Sequence, residues 1–446
     1  MSLQSNFPSG FYIGMRSLDL HRWLMQICFS LYIIATWFSR AGMEIAGLLT
    51  LLLAALYFWR MPNRQLLRDI AAIYPWKILG SLFLVIVLGL VINSTEQTRF
   101  LPPLLSQGYM ILLFTWALII TTVKFSEKHF AFFLFIVGLI ALYAIFQSFT
   151  GIDLLRPGSN RAVHELTLPN ARVALWRSAG LFDSPTHYAY VTGMHAAFAL
   201  AFALVARKRK ISGDLFTMSA VVYVALLAGV ITTYTRGAWL GIAVSGVAMA
   251  FLVKPKLGYR LVAAGTLALV FLVVFSTVLR ARLASVFDFA YSSNSDRLLL
   301  WKINLQMFKD HPIFGIGFSQ NQIRGKEYAS AMGHPNAFLS HAHNNYIEML
   351  STTGIVGFVL YLLLIGYMLR LTFKLYQSVR DTNTWWGAIA LGAFGAQIHF
   401  HIGGLTDATF VSAPTNHSLI LIWGFVIAGT FINSRNSHSK QRRLEN

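Results

Sequence analysis

The stretch Phe130-Ala-Phe-Phe-Leu-Phe-Ile-Val-Gly-Leu-Ile-Ala-Leu-Tyr-Ala-Ile-Phe-Gln-Ser-Phe-Thr150 contains no charged residue. Its length matches the hydrocarbon core of a bilayer, which an α-helix crosses in roughly 20 residues. Barrel strands would show short segments of alternating polarity, whereas this run is continuous. Comparable runs recur near residues 23–39, 41–59, 76–93, 104–123, 186–206, 215–233, 237–253, 261–279, 345–369, 385–405 and 417–433. The pattern predicts an all-α, polytopic helical membrane protein with about twelve transmembrane helices. Composition agrees: 56% of residues are hydrophobic and only 12% charged, about half the charge of a soluble domain. No fixed-period repeat or low-complexity linker divides the chain, so residues 1–446 read as one integral membrane domain.

A net charge of +19 invites a nucleic-acid reading, because basic chains often contact phosphate. The distribution argues for a different cause. Arg60, Arg64, Arg68 and Lys77, then Lys124 and Lys128, then Arg207, Lys208, Arg209 and Lys210 fall in alternate connections. Lys254, Lys256 and Arg260, then Arg370, Lys374 and Arg380, then Arg435, Lys440, Arg442 and Arg443 continue the series, with Arg16 and Arg22 before the first run. Basic residues accumulate in cytoplasmic loops and set orientation. Both termini are therefore expected in the cytoplasm, with membrane lipids as partners and no nucleic acid. The single cysteine, Cys28, excludes an intramolecular disulfide. The first apolar run is followed by no small-residue cleavage pattern and is expected to be a retained helix.

The opposite side receives two long connections, residues 151–185 and 280–344, rich in Pro, Gly, Asn, His and Arg. Together they predict a structured external region with short helices. Within the second, Arg297-Leu-Leu-Leu-Trp-Lys-Ile-Asn-Leu-Gln-Met-Phe-Lys309 places charged and apolar residues at helical spacing, as in a helix lying on the membrane surface.

Polar motifs cluster at these external ends. In Thr235-Arg236-Gly237-Ala238, Arg236 opens an apolar run and a glycine follows it. Arg236 either snorkels to the headgroups or binds an anion, since helix N-termini and guanidinium forks both favour phosphate. Ser295 or Asp296 can cap the helix that carries Arg297, and His311-Pro312-Ile-Phe-Gly315-Ile-Gly317 reads as a turn. His341-Ala342-His343-Asn344-Asn345 precedes another apolar run, which places His343 at its external mouth. With His334, His341 and His343 could bind a metal, but no carboxylate or further histidine stands at helical ligand spacing. A structural histidine is a second reading. A general base is the favoured one, because neutral imidazole suits proton abstraction from a hydroxyl. Arg177-Ser-Ala-Gly-Leu-Phe-Asp183-Ser-Pro185-Thr-His187 ends the first external loop. His195, His399, His401 and Asp407 sit in or beside other spans and suggest a cavity open to the outside, without assigned roles.

The order of Gly180-Leu-Phe-Asp-Ser-Pro185, Thr235-Arg236-Gly237-Ala238, Arg297 with Trp301, His311-Pro312-Ile-Phe-Gly315-Ile-Gly317, and His343-Asn344 followed by Gly354 and Gly357 resembles the O-antigen ligase and polymerase superfamily. The similarity covers roughly residues 177–357. It implies a glycosyltransferase without nucleotide sugar, metal or other cofactor, acting at the periplasmic face of the bacterial inner membrane. The donor would be a glycan on undecaprenyl diphosphate and the acceptor, for a ligase, lipid A–core of lipopolysaccharide. By resemblance, Arg236, Arg297 and His343 are the essential residues, with Arg280 and Arg282 as rivals for the Arg297 position. Arg236, Arg297, Arg177, Asn344 and His341 are the candidates for binding substrate. The short stretch after the last apolar run offers no soluble domain to dock a protein acceptor. Ligase therefore ranks first, polymerase second, protein O-oligosaccharyltransferase third and a transporter without chemistry last.

Overall fold

The computed structural model describes residues 9–38, 40–60, 64–122, 127–156, 163–165, 176–209, 213–276, 280–281, 284, 292–337 and 339–445. Helices form almost all of it, as the apolar runs require. In chain order these are α1 (Ser9–Phe38), α2 (Arg40–Trp59), α3 (Gln65–Ile73), α4 (Trp76–Ile92), α5 (Leu101–Ser106), α6 (Tyr109–Thr122) and α7 (Glu127–Thr150). After two short strands come α8 (Pro185–Arg209), α9 (Gly213–Ile231), α10 (Arg236–Val253) and α11 (Pro255–Phe275). The chain ends with α12 (Ser292–Asp310), α13 (Asn321–Ala331), α14 (Asn345–Val379), α15 (Thr384–Gly403) and α16 (Ala413–Glu445). The strands β1 (His164–Glu165) and β2 (Trp176–Arg177) pair antiparallel, with His164 opposite Arg177.

Among the described residues, nine helices are long and apolar enough to cross a membrane, or ten if α3 and α4 count as one span bent by 68° at Tyr74-Pro75. This is fewer than the twelve runs read from hydropathy, although the described residues of each run are largely helical. The two outside that count are α1 and α15. Helix α15 carries Gln397, His399 and His401, all buried. A helix enclosed by protein needs no apolar exterior, so its hydropathy understates its depth.

Helix α8 is the centre of the bundle, buried over 89% of its span, and it packs against α9, α10 and α15. Close approach is permitted by small residues, the usual device where lipid supplies no hydrophobic drive between helices. Gly193 of α8 and Gly241 of α10 face His399, and Gly392 of α15 faces Phe198. Helix α11 lies at the other extreme: only 6% of its span is buried.

The helix read as surface-bound packs on protein. Helix α12 buries Leu300, Ile303, Asn304 and Met307 and lies against α14 and α13. It also begins at Ser292, so Ser295 and Asp296 lie within the helix and do not cap it.

Candidate active site

Helix α14 is two helices meeting at Gly354, whose φ of 64° and ψ of −170° no L-residue adopts comfortably. The break frees backbone groups that must be satisfied away from water. The 312–317 loop satisfies them. Ile316 and Gly317 donate to the Ser351 and Thr352 carbonyls at 3.0 and 3.1 Å, and Ile355 donates to Pro312 O at 2.8 Å. A Cβ at Gly354 would collide with the Ile313–Phe314 backbone, and one at Gly315 with the Thr352–Gly354 backbone. The turn read at His311–Gly317 is thus the strap that holds the first segment of α14 at its own angle.

That segment carries the histidine motif at its mouth. Asn344 is its N-cap: Oδ1 accepts from Tyr346 N at 2.9 Å and Ile347 N at 3.1 Å, while Nδ2 donates to Leu405 O at 2.9 Å. The amide of Asn344 is spent on the protein. Just before it, His343 takes φ of 46°, a left-handed conformation that is uncommon outside glycine. Tyr234, two residues before Arg236, does the same with φ of 54°. The tripeptide His341-Ala342-His343 is pinned at its centre. Ala342 N donates to Glu348 Oε2 at 2.7 Å and Ala342 O accepts from Trp301 Nε1 at 2.9 Å. Buried Glu348 also accepts from Asn321 Nδ2 at 2.8 Å.

His343 Nδ1 lies 3.0 Å from Asp407 Oδ1 in the α15–α16 connection. Burial pushes the Asp407 carboxyl up, but the His343 hydrogen bond and the charges of His343, His341 and Arg297 outweigh it and hold the group at about 2. An ionised Asp407 accepts the Nδ1 proton, which leaves Nε2 with the lone pair. Nε2 lies 3.2 Å from Ser340 Oγ, and the His343 side chain retains 29% exposure, so a substrate can reach it. His341 sits alongside with ring centroids 4.3 Å apart. Burial, then the neighbouring His343, pulls His341 down to about 4. Ligand atoms of His341, His343 and Asp407 lie within 4.8 Å of one another, close enough to hold a metal ion. The carboxylate that sequence spacing did not supply comes from a different loop.

The arginines converge on the same place. Arg236 is the first residue of α10 and donates from Nη2 to Asn294 Oδ1 at 2.8 Å, tying that end to the start of α12. Gly237 meets the hydroxyls of Thr406 and Tyr190, where a side chain would not fit, and Thr406 precedes Asp407. Arg297, half-buried in α12, acts electrostatically on Asp407. Arg177 donates from Nε to Thr233 O at 2.9 Å and from Nη2 to Thr235 Oγ1 at 3.3 Å, bracing the turn that presents Arg236. Of the rivals for Arg297, Arg280 is exposed and Arg282 lies outside the described residues. Five segments far apart in sequence thus deliver one imidazole–carboxylate pair and three guanidinium groups to neighbouring positions.

This arrangement accompanies a family signal. Residues 220–362, which include Arg236, Arg297 and His343, match the family model for O-antigen ligase. The match supports the resemblance to the O-antigen ligase and polymerase superfamily over that segment. No curated protein matches it. The matched segment runs from α9 into the second part of α14, so it contains the strap at Gly354 but neither Asp407 nor Arg177.

Sequence reading placed His343, His341, Asn344, Arg177, Arg236 and Arg297 near the external ends of helices, and the structure brings them together. It noted Asp407 without assigning it a role, and it did not single out Glu348. An acidic residue in or beside an apolar span is expensive unless it has a partner, and that cost was the available signal for both.

Proposed function

We propose that this protein is an O-antigen ligase. It would transfer a glycan from undecaprenyl diphosphate to lipid A–core at the periplasmic face of the inner membrane, with both termini in the cytoplasm. The observation that carries the reading is the His343–Asp407 pair beside Arg236 and Arg297, within a chain whose 220–362 segment matches the family.

The chemistry needs no energy source beyond the donor, because a diphosphate on an anomeric carbon is already a leaving group. The acceptor oxygen bonds to that carbon as the carbon–oxygen bond to the diphosphate breaks. The hydroxyl proton passes to His343 Nε2, and the electron pair leaves on the diphosphate. Asp407 orients the imidazole and stabilises its protonated form, a part that other histidine bases also assign to a buried carboxylate. Arg236 and Arg297 receive the developing charge without exchanging protons, since a guanidinium stays protonated. Fixed positive charge at a leaving group and a positioned base each contribute about 10²–10⁴-fold. Asn344 and Arg177 act here as positioning residues, one setting the histidine motif and the other the Arg236 turn. In this reading no step is assigned to a metal, and His341, His343 and Asp407 act as proton-handling groups.

The reading is tested by incubating purified protein with undecaprenyl-diphosphate-linked glycan and either lipid A–core or a second lipid-linked repeat. Product on lipid A–core alone supports a ligase. Chain extension on the second repeat alone makes the protein a polymerase, and no product with either acceptor removes glycan transfer altogether.

A further inference from the structure

A cavity of about 540 Å³ lies beside the histidine motif, between the α1–α2 corner, the start of α8 and the 411–414 segment. Its volume falls within the range of small-molecule sites. Its lining includes His341, whose ring lies against that of His343, but neither His343 itself nor any of Arg177, Arg236 and Arg297. The charged groups that do line it are of mixed sign: Arg156, Asp183 and Glu348. Arg156 is already engaged with Asp153 and with the Phe182 and Gly180 carbonyls. Such a space has no reason to select a diphosphate.

It suits a neutral, hydroxyl-rich ligand better. At the rim, Asp183 and His187 form a pair at 2.8 Å, and Gln322 also lines the cavity. His187 and His341 both line the cavity, so its polar groups include the ring that lies against His343. The floor includes the buried aromatic faces of Trp37 and Phe182. Two groups on the lining, the Trp37 indole N–H and the Ser412 hydroxyl, have no partner among the described residues. Buried polar groups are seldom left without one, so both are available to water or to a ligand.

We infer that this cavity is the acceptor subsite, holding the saccharide whose hydroxyl meets the histidine base while the diphosphate lies with the arginines. The inference rests on the glycan-transfer reading and adds to it where the acceptor binds and which side chains read it. Saccharide hydroxyls both donate and accept, which matches a rim of carboxylate, imidazole and amide over an aromatic floor.

The test is binding to the full-length protein in detergent, followed by calorimetry, with delipidated core oligosaccharide as one probe and delipidated repeat unit as another. Wild type is compared with Gln322→Ala, which trims an exposed rim amide, and with Ser412→Trp, which fills the cavity. Binding of one probe that weakens tenfold or more in both variants, with donor binding within twofold of wild type, supports the subsite and identifies its source. Saccharide binding unchanged in both variants, no saccharide binding by wild type, or loss of donor binding in both would overturn it. Turnover measured separately keeps the two ideas apart. An active enzyme indifferent to both substitutions removes the subsite alone, whereas a wild type inactive with every acceptor removes the underlying reading.

Discussion

Asp407 Oδ1 accepts from His343 Nδ1 at 3.0 Å across 64 positions of sequence, and the same oxygen accepts from Ala408 N at 2.8 Å. The backbone contact fixes the carboxylate and the carboxylate fixes the imidazole. His343 is held from its other side as well, because its backbone is left-handed and the residues flanking it are both tethered. A side chain determined from so many directions suits the role of base proposed for it.

Asp407→Asn tests that tether. Asparagine keeps the shape but can present its amide N–H to Nδ1, which favours the wrong tautomer. Turnover is expected to fall by about 10²-fold or more, the scale of a lost base, while protein abundance stays near normal. Initial rates with purified donor and acceptor measure this. A variant within a few-fold of wild type would remove Asp407 from the mechanism.

Arg236→Lys separates a phosphate clamp from a snorkelling residue. Lysine retains the charge but loses the planar fork, so at a bidentate site it is expected to perform nearly as poorly as Arg236→Ala. Rates corrected for membrane abundance decide the matter, and full activity with lysine would exclude a diphosphate role.

Gly354→Ala probes the strap. The backbone at Gly354 is one that alanine enters only with strain of about 1–3 kcal/mol, and the Ile313–Phe314 backbone occupies the space of a new Cβ. Folding yield and thermal stability should fall sharply. Gly366→Ala, on the same helix with open space around it, is the control and should be neutral or slightly stabilising. Equal melting temperatures for the two variants would refute the account of the kink.

His341 supplies a pH test. Its folded pKa is lowered to about 4 from an ordinary value of about 6.5. Between those values the unfolded chain binds a proton that the folded protein refuses, so stability rises with pH across that window. Asp407, held at about 2, contributes stability that is present above about 3.9 and is lost only as pH falls towards 2. It adds no slope in the window. Melting curves of His341→Ala should therefore rise less between about pH 4 and 6.5 than those of wild type, and an unchanged slope would contradict the burial of a neutral His341.

Much of this was legible in sequence because membrane physics is local. A run such as residues 130–150 declares its helix without reference to anything else, and the described residues of each of the twelve runs are largely helical. The Arg236, Arg297 and His343 motifs were likewise singled out by their order along the chain and by resemblance. What escaped was what depends on partners. Asp407 is adjacent to His343 only after α14 and α15 pack together. Glu348 is a single acid at the start of an apolar run, and only the fold brings Ala342 N and Asn321 Nδ2 to it. Helix α12 read as a surface helix because its apolar face shows no sign of whether lipid or α14 will cover it. The Gly354 break was invisible to periodicity, since helical residues continue on both sides of it.

The central claim, that His343 is the base, is tested most directly by assaying His343→Ala and His341→Ala side by side with purified donor and acceptor. His343→Ala should lose about two to four orders of magnitude in turnover, retain donor binding, and accumulate normally in the membrane. His341→Ala should be much milder. Turnover by His343→Ala within a few-fold of wild type, with His341→Ala inactive, would move the role to the other histidine, and near-normal turnover in both would mean that neither is the base.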